Sequence, residues 1–174
     1  MAIVAFVRGA NVGGHRRFRP SLVAKELAQF DVVNIGATGL FVARDPGSGQ
    51  TFRSELVRRL PPDSNVAFCE SRDVLDLENG SPFQRVVIDA DQVRFVSVLI
   101  GSLPARLPAM PFGIPSNDDW YVRMIGRKKQ FVFGVYRRHM KTIAYLGRLD
   151  KALGVPVTTR NWNTIEAVLK VLKT

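Results

Sequence analysis

Apolar residues recur along this chain at either the two-residue spacing of strands or the three- and four-residue spacing of helices. Each change from one spacing to the other predicts that a new strand or helix begins. In the first seventy residues, short apolar or alternating runs predict strands at 2–8, 32–35, 40–43 and 66–69. Apolar residues three and four apart predict one helix over 20–30 and another around 52–60. The order βαββαβ is that of a ferredoxin-like α/β plait, with an antiparallel sheet and both helices on one face.

The same spacing predicts which side chains of these two helices face the core. The first helix is expected to bury Leu22, Val23, Leu27 and Phe30, and the second Phe52, Leu56, Val57 and Leu60.

The second half of the chain repeats this pattern without a close sequence repeat. Strands are predicted at 93–100, 120–125, 131–136 and 155–157, and a single helix carries Ile143, Leu146, Leu149 and Leu153. The proline-rich segment 103–115 excludes a long regular helix. The predicted class is therefore α+β. It has a plait subdomain at 1–70, a helix and linker at 71–91, and a second plait subdomain at 92–174 with a closing helix.

The segment 158–164, Thr-Thr-Arg-Asn-Trp-Asn-Thr, precedes the closing helix and is the first candidate site. Asn163 and Glu166 have the spacing of a capping box, so the helix is expected to begin near Asn163. Helix N-termini attract anions, and the Arg160 guanidinium suits a carboxylate or a phosphate. Alternatively, Arg160 and Asn161 only fix loop backbone. Trp162 is interpreted as a buried wedge under the helix.

The glycine-rich loop that follows the first strand is the second candidate site. Gly13 and Gly14 free backbone N–H groups to hold an anion, and Asn11 tolerates left-handed backbone geometry. Arg8 and Arg16 add positive charge. The loop lacks the Gly-Lys-Ser/Thr of a phosphate-binding loop and the glycine spacing of a dinucleotide fingerprint. The alternative is an ordinary strand-to-helix turn.

Charge favours an anionic partner for this chain. Its 174 residues carry a net charge of +10, and residues 81–174 hold 15 Lys/Arg against 6 Asp/Glu. No apolar run approaches the length of a membrane span, so no membrane partner is expected. The single cysteine, Cys69, excludes an internal disulfide and fits a reducing, cytoplasmic compartment. His15 and His139 lack metal-ligand spacing, and no metal or cofactor is expected.

Two blocks of sequence at opposite ends of the chain resemble a known family. Residues 5–14, Ala-Phe-Val-Arg-Gly-Ala-Asn-Val-Gly-Gly, and the segment 158–164 are similar to the two signatures of the domain-of-unknown-function family 1697, a group of small bacterial proteins. The resemblance implies two α/β plait subdomains and no established activity. The family usually has Ser-Gly-Asn before its third strand, whereas this chain has Thr38, Gly39 and Leu40.

Three functions remain open on the sequence, and the first is the binding of a small anionic or phosphate-bearing ligand. Its site would lie between the glycine-rich loop and the closing helix. The predicted ligand-binding residues are Arg8, Asn11, Gly13, Gly14, Arg16, Arg160, Asn161 and Asn163. The chain would act as a monomer or a homodimer.

The second function is nucleic-acid binding by the basic aromatic hairpin 120–141. The candidate residues are Arg123, Arg127, Lys128, Lys129, Tyr136 and Arg138. In the opposing interpretation, the alternating aromatic residues of this hairpin belong to the core. The third function is an enzyme of unknown reaction, in which Arg and Asn would stabilise developing negative charge and the base is unknown.

Overall fold

The chain forms a mixed α+β fold, as expected, with two antiparallel sheets and several helices. The computed structural model describes residues 1–9 and 18–174. It divides into two compact units: the first comprises Met1–Asp76 with Glu166–Thr174, and the second comprises Leu77–Ile165. Among the described residues, the structure has no helix with the length and apolar character needed to cross a membrane.

The first unit is built on a four-stranded sheet. Its strands are β1 (Ile3–Arg8), β2 (Val32–Asn34), β3 (Leu40–Ala43) and β4 (Asn65–Glu70), in the order β2-β3-β1-β4. All neighbours are antiparallel. Its helices are α1 (Pro20–Glu26), α2 (Gln50–Arg59) and α3 (Ser71–Leu75), and a 3-10 turn at Ala28–Phe30 follows α1.

One core cluster of this unit joins β1 and β3 to α1 and α2, and it contains Ala5, Phe41, Leu27, Phe52 and Leu56. Burial of such side chains is the main stabilising term of a fold of this kind.

Two side chains that the spacing assigned to this core are exposed instead. Leu22 is 46% and Val57 is 53% exposed. Each directly precedes or follows a buried neighbour, Val23 or Leu56, and successive helical residues point about 100° apart.

The second unit is built on a five-stranded sheet. Its strands are β5 (Gln92–Leu99), β6 (Phe112–Ile114), β7 (Val122–Lys128), β8 (Phe131–Arg137) and β9 (Val157–Asn161), in the order β6-β7-β8-β5-β9. The other elements of this unit are a 3-10 turn (Pro82–Arg85) and the helices α4 (Thr142–Leu146) and α5 (Leu149–Leu153). The closing helix α6 (Trp162–Leu172) begins in the second unit, and its residues from Glu166 onward belong to the first.

The second unit departs from the sequence expectation in three places. The proline-rich segment contributes an additional edge strand, β6, which pairs with β7. The single helix expected over 143–153 is divided into α4 and α5, and Ile143 is 80% exposed rather than buried. The last strand continues to Asn161, because residues 157–161 form a ladder with β5.

Strand pairing brings four strand ends to one end of this sheet. Gln92 at the start of β5 lies opposite Arg137 at the end of β8, and Val122 at the start of β7 lies opposite Tyr136. Asn161 at the end of β9 lies opposite Phe95, near the start of β5. Side chains that are distant in sequence therefore meet at this end, which we call the basic end of the sheet.

Candidate functional site

Helix α6 begins at the basic end of the sheet, and its N-terminal cap is Asn161 rather than Asn163. The Asn161 Oδ1 accepts from the Thr164 backbone N–H at 2.9 Å and from the Thr164 hydroxyl at 2.8 Å. Asn161 ends an extended strand, which is the backbone geometry that a cap residue requires. Asn163 therefore lies inside the first turn, with an exposed side chain.

A polar hollow of about 310 Å³ lies at this helix start, and all of its lining residues belong to the second unit. We call it the polar hollow; it is lined by Gln92, Val93, Arg94, Tyr136, Arg138, Asn161, Trp162 and Asn163. Two of these residues are arginines and none of them is acidic. Within the described parts of the chain, Arg94 and Arg138 form no ion pair. Among the described residues, the hollow therefore presents two arginines outside any ion pair, together with several amide groups.

Arg94 is held in place by aromatic rings. Its guanidinium carbon lies 5.7 Å from the centre of the Phe83 ring and 5.9 Å from the Trp162 ring. These two rings contact each other edge to face, with centres 5.2 Å apart. Trp162 is buried, as its interpretation as a wedge predicted. Cation–π contacts attract the charge without neutralising it, so the Arg94 N–H groups keep their affinity for an anion.

Arg160 lies on the other side of the sheet from Asn161. It pairs with Val96 whereas Asn161 pairs with Phe95, and neighbouring strand residues point to opposite faces. The Arg160 Nη1 donates to the Thr158 hydroxyl at 2.8 Å and to the Thr159 carbonyl at 2.9 Å. Burial lowers the pKa of Arg160 to about 10, so the side chain stays charged at neutral pH. Arg160 is not among the residues that line the polar hollow.

The other residues of the predicted ligand site belong to the N-terminal loop. Asn11, Gly13, Gly14 and Arg16 lie outside the described residues. Arg8 ends β1 opposite Asn65 and belongs to the first unit. The structure thus brings together Asn161 and Asn163 from this prediction, and places Arg160 elsewhere.

The basic hairpin contributes two of its predicted residues, Tyr136 and Arg138, to the polar hollow. Tyr136 stacks on Phe95 with ring centres 6.0 Å apart. Phe131 and Phe133 are fully buried, so they are core residues and offer no surface for a nucleic-acid base.

The remaining hairpin cations contact backbone carbonyls or an aromatic ring. The Arg127 Nε donates to the Lys129 carbonyl at 2.7 Å, and the Lys128 Nζ donates to the Asn79 carbonyl at 2.8 Å. Arg123 and Arg137 lie over the Trp120 ring, at 5.8 and 4.1 Å from its centre.

Sequence reasoning missed Arg94 and Gln92, which are central to the hollow. The available signal was weak: Arg94 is a single charged residue between Val93 and Phe95 in an apolar strand. Its role depends on β5 lying between β8 and β9, which only the fold provides.

Among the described residues, no group of three His, Cys, Asp or Glu side chains is placed to hold a metal ion. His139 has a local role, since its Nδ1 accepts from the Lys141 backbone N–H at 3.1 Å. Cys69 is buried, as is usual for a cysteine that packs as a small core residue. These observations identify no catalytic group.

Comparison with protein-family models, with curated proteins and with solved structures finds no match to this chain. The resemblance to family 1697 therefore stays a prediction. At the one position where the chain departs from that family, Leu40 is fully buried and begins β3.

Proposed function

We propose that the protein binds a small anionic, phosphate-bearing ligand in the polar hollow. One observation carries the proposal: Arg94 and Arg138 line the same hollow at the start of α6, and none of the described lining residues is acidic. The proposal keeps the ligand class expected from the sequence and the residues Asn161 and Asn163. It replaces Arg160 with Arg94 and Arg138 as the cationic groups.

The chemistry of the lining fits a phosphate group better than an apolar ligand. Each guanidinium can donate two parallel hydrogen bonds to phosphate oxygens. The amides of Gln92, Asn161 and Asn163 can contact hydroxyl groups next to the phosphate. The N–H groups of the first helical turn have no partner within the helix and add partial positive charge. A volume of 310 Å³ suits a sugar phosphate or a smaller anion.

Calorimetric titration with ribose 5-phosphate tests the proposal. Arg94→Gln and Arg138→Gln should each weaken binding about tenfold or more, since a hydrogen bond to a charged group contributes about 1.5–3 kcal/mol. Arg106→Gln is the matched control, because Arg106 is an exposed arginine of the same unit outside the hollow. Equal binding by all four proteins, or binding by none, would contradict the proposal.

A second candidate function is nucleic-acid binding at the basic end of the sheet. The observation that favours it is the half-buried Trp120, which lies against both Arg123 and Arg137. From 120 to 148 the chain has eight Lys/Arg and no Asp/Glu, although Asp118 and Asp119 directly precede this stretch. Binding that neutralises about six phosphates would give a log–log salt slope of roughly −4 to −5. A flat salt response would exclude this candidate.

We further propose the finer form of the fold, in which both units are α/β plaits. The order β2-β3-β1-β4 in the first unit and the order β7-β8-β5-β9 within the second support it. The same architecture is what membership of family 1697 would imply. An experimental structure of the full chain tests this proposal directly.

A further inference from the structure

A second hollow lies beside the polar hollow, and two residues line both of them. Its volume is about 280 Å³, and it is lined by Glu78, Ser81, Phe83, Gln84, Arg94 and Trp162. Arg94 and Trp162 line both hollows. We call the second one the aromatic hollow, because the rings of Phe83 and Trp162 contribute to its wall.

The Arg94 guanidinium can contact two different parts of one ligand. The edge of a guanidinium donates hydrogen bonds in its plane, and its flat face stacks on unsaturated rings. In this protein the guanidinium already lies over the two ring systems of Phe83 and Trp162. Arg94 is half-buried and lines both hollows. A ligand that presents an anionic group to the edge of Arg94 and a flat ring to its face would use both surfaces.

The two linings also differ in chemistry. The polar hollow offers cations and amides, which suit a phosphate and sugar hydroxyls. The aromatic hollow is lined by the largely buried rings of Phe83 and Trp162, by Ser81 and Gln84, and by the carboxylate of Glu78, so the flat face of Arg94 is its main stacking surface. The Ser81 oxygen accepts from the Phe83 backbone N–H at 3.3 Å, which leaves its hydroxyl proton to donate. The Gln84 amide can both donate and accept, as the edge of a nucleobase requires.

We infer that the ligand class is a nucleoside monophosphate, with its phosphate in the polar hollow and its base in the aromatic hollow. This inference rests on the proposed function and specifies its ligand. The sugar would lie beside Arg94, between the two hollows. A nucleoside without phosphate and a sugar phosphate without base would each use only half of the site.

Titration calorimetry with adenosine 5′-monophosphate, ribose 5-phosphate and adenosine tests the inference. The monophosphate should bind about tenfold more tightly than ribose 5-phosphate, because stacking of one base contributes a factor of this order. Adenosine should bind more weakly than the monophosphate by a similar factor. Saturation-transfer NMR should show the base protons of the bound monophosphate receiving magnetisation from the protein.

Two variants distinguish the contribution of ring stacking to the affinity from that of positive charge. Arg94→Lys keeps the positive charge and removes the planar face, so the preference for the monophosphate over ribose 5-phosphate should fall to about twofold. Phe83→Leu should lower the same preference, with thermal unfolding as the check that the variant folds. Arg106→Gln, outside both hollows, should retain the full preference.

The outcomes distinguish the inference from the proposed function. Equal affinity for the monophosphate and ribose 5-phosphate, lost in Arg138→Gln, would overturn the inference and leave the proposed function in place. Binding of neither phosphate compound would overturn both. A tenfold preference that persists in Arg94→Lys and Phe83→Leu would also overturn the inference, because the base would then bind elsewhere.

Discussion

Asn161 and Thr164 are joined twice at the start of the last helix. One oxygen of the Asn161 amide accepts both the backbone N–H of Thr164, at 2.9 Å, and its hydroxyl, at 2.8 Å. This pair fixes the point at which β9 stops and α6 begins. It also sets the direction of the first helical turn, whose residues Trp162 and Asn163 line the polar hollow.

Substitution of this cap should destabilise the protein measurably. Asn161→Ala should lower the free energy of unfolding by about 1 kcal/mol, because the Thr164 N–H loses its acceptor. Asn163→Ala is the matched control and should change stability by less than about 0.5 kcal/mol, since its side chain is exposed and does not cap the helix. Urea unfolding of both variants provides the measurement. A larger loss for Asn163→Ala would contradict the assignment of the cap.

The helix α6 is capped by Asn161 rather than by the predicted Asn163, and this difference shows what the local sequence can and cannot predict. Asn161-Trp-Asn-Thr164 and Asn163-Thr-Ile-Glu166 both resemble helix starts, and no local rule chooses between them. The choice comes from the ladder between β9 and β5, which keeps Arg160 and Asn161 extended. By contrast, the buried face of α6 follows a local rule, since the buried residues Ile165, Val168 and Leu169 recur at the three- and four-residue spacing of one helical face.

The candidate site was harder to predict than the elements that carry it. Apolar spacing located β3, β8 and most of α2 because their periods are local properties of the chain. The polar hollow instead combines residues 92–94 with residues 136–138 and 161–163. Their proximity follows from strand order, and an arginine in a strand gives no local sign of its partners. Asn161 and Arg138 were singled out in separate candidate sites, and only the fold places them in one.

Replacement of Arg160 should affect the stability of the protein but not its affinity for the ligand. Arg160→Met keeps most of the buried stem and removes a desolvated charge, so the free energy of unfolding should change by less than about 1 kcal/mol. Arg160→Ala should cost about 2 kcal/mol through lost packing. Neither variant should change ribose 5-phosphate affinity by more than about threefold, because Arg160 does not line the hollow. A tenfold loss of affinity in Arg160→Met would show that Arg160 contacts the ligand.

The lowered pKa of Arg160 also predicts how the stability difference between the wild type and Arg160→Met depends on pH. Burial lowers its folded-state pKa to about 10, below the value in the unfolded chain, so the buried charge disfavours folding at every pH below about 10. The stability difference between the wild type and Arg160→Met should therefore be constant from pH 6 to 9. The wild type should gain relative to the variant only above pH 10. Paired urea titrations at pH 6, 9 and 11 measure the difference.

Glu55 should contribute to stability at neutral pH and lose that contribution in acid. The Arg59 Nη1 donates to the Glu55 carboxylate at 2.6 Å, and this hydrogen bond lowers the pKa of Glu55. A carboxylate with a lowered folded-state pKa stabilises the fold above its unfolded pKa, and the effect disappears as the pH falls through the folded value. Glu55→Gln should thus be less stable than the wild type at pH 7, and the two should converge in acid.

Thermal unfolding of Glu55→Gln and the wild type between pH 7 and pH 3 measures this convergence. Glu26→Gln is a suitable control, because the Glu26 carboxylate lies 3.0 Å from the same arginine but its side chain is 60% exposed. Its effect at pH 7 should be smaller, as expected of an exposed ion pair. A constant difference between Glu55→Gln and the wild type at all pH values would show that the lowered pKa is not the cause.

A side chain at Gly134 should destabilise the protein, because Gly134 lies in β8 with a paired strand on each side. It lies in β8 between Phe95 of β5 and Met124 of β7. A Cβ atom there would lie 2.6 Å from the Phe95 Cε1 and 2.8 Å from the Arg123 carbonyl oxygen. The ring is fully buried and stacked on Tyr136, and the carbonyl belongs to a paired strand, so neither can move away without cost. Gly134→Ala should therefore cost about 1–3 kcal/mol of unfolding free energy, the range of overpacked cores.

A double-mutant cycle with Phe95→Leu identifies which of the two contacts sets this cost. Leucine removes the ring atoms nearest to the added methyl group and leaves the Arg123 carbonyl in place. If the ring is the main obstacle, Gly134→Ala should be less costly in the Phe95→Leu background, with a coupling energy of about 1 kcal/mol or more. A coupling near zero would assign the cost to the backbone. Because Phe95 also stacks on Tyr136 in the wall of the polar hollow, ribose 5-phosphate affinity should fall with stability in Phe95→Leu.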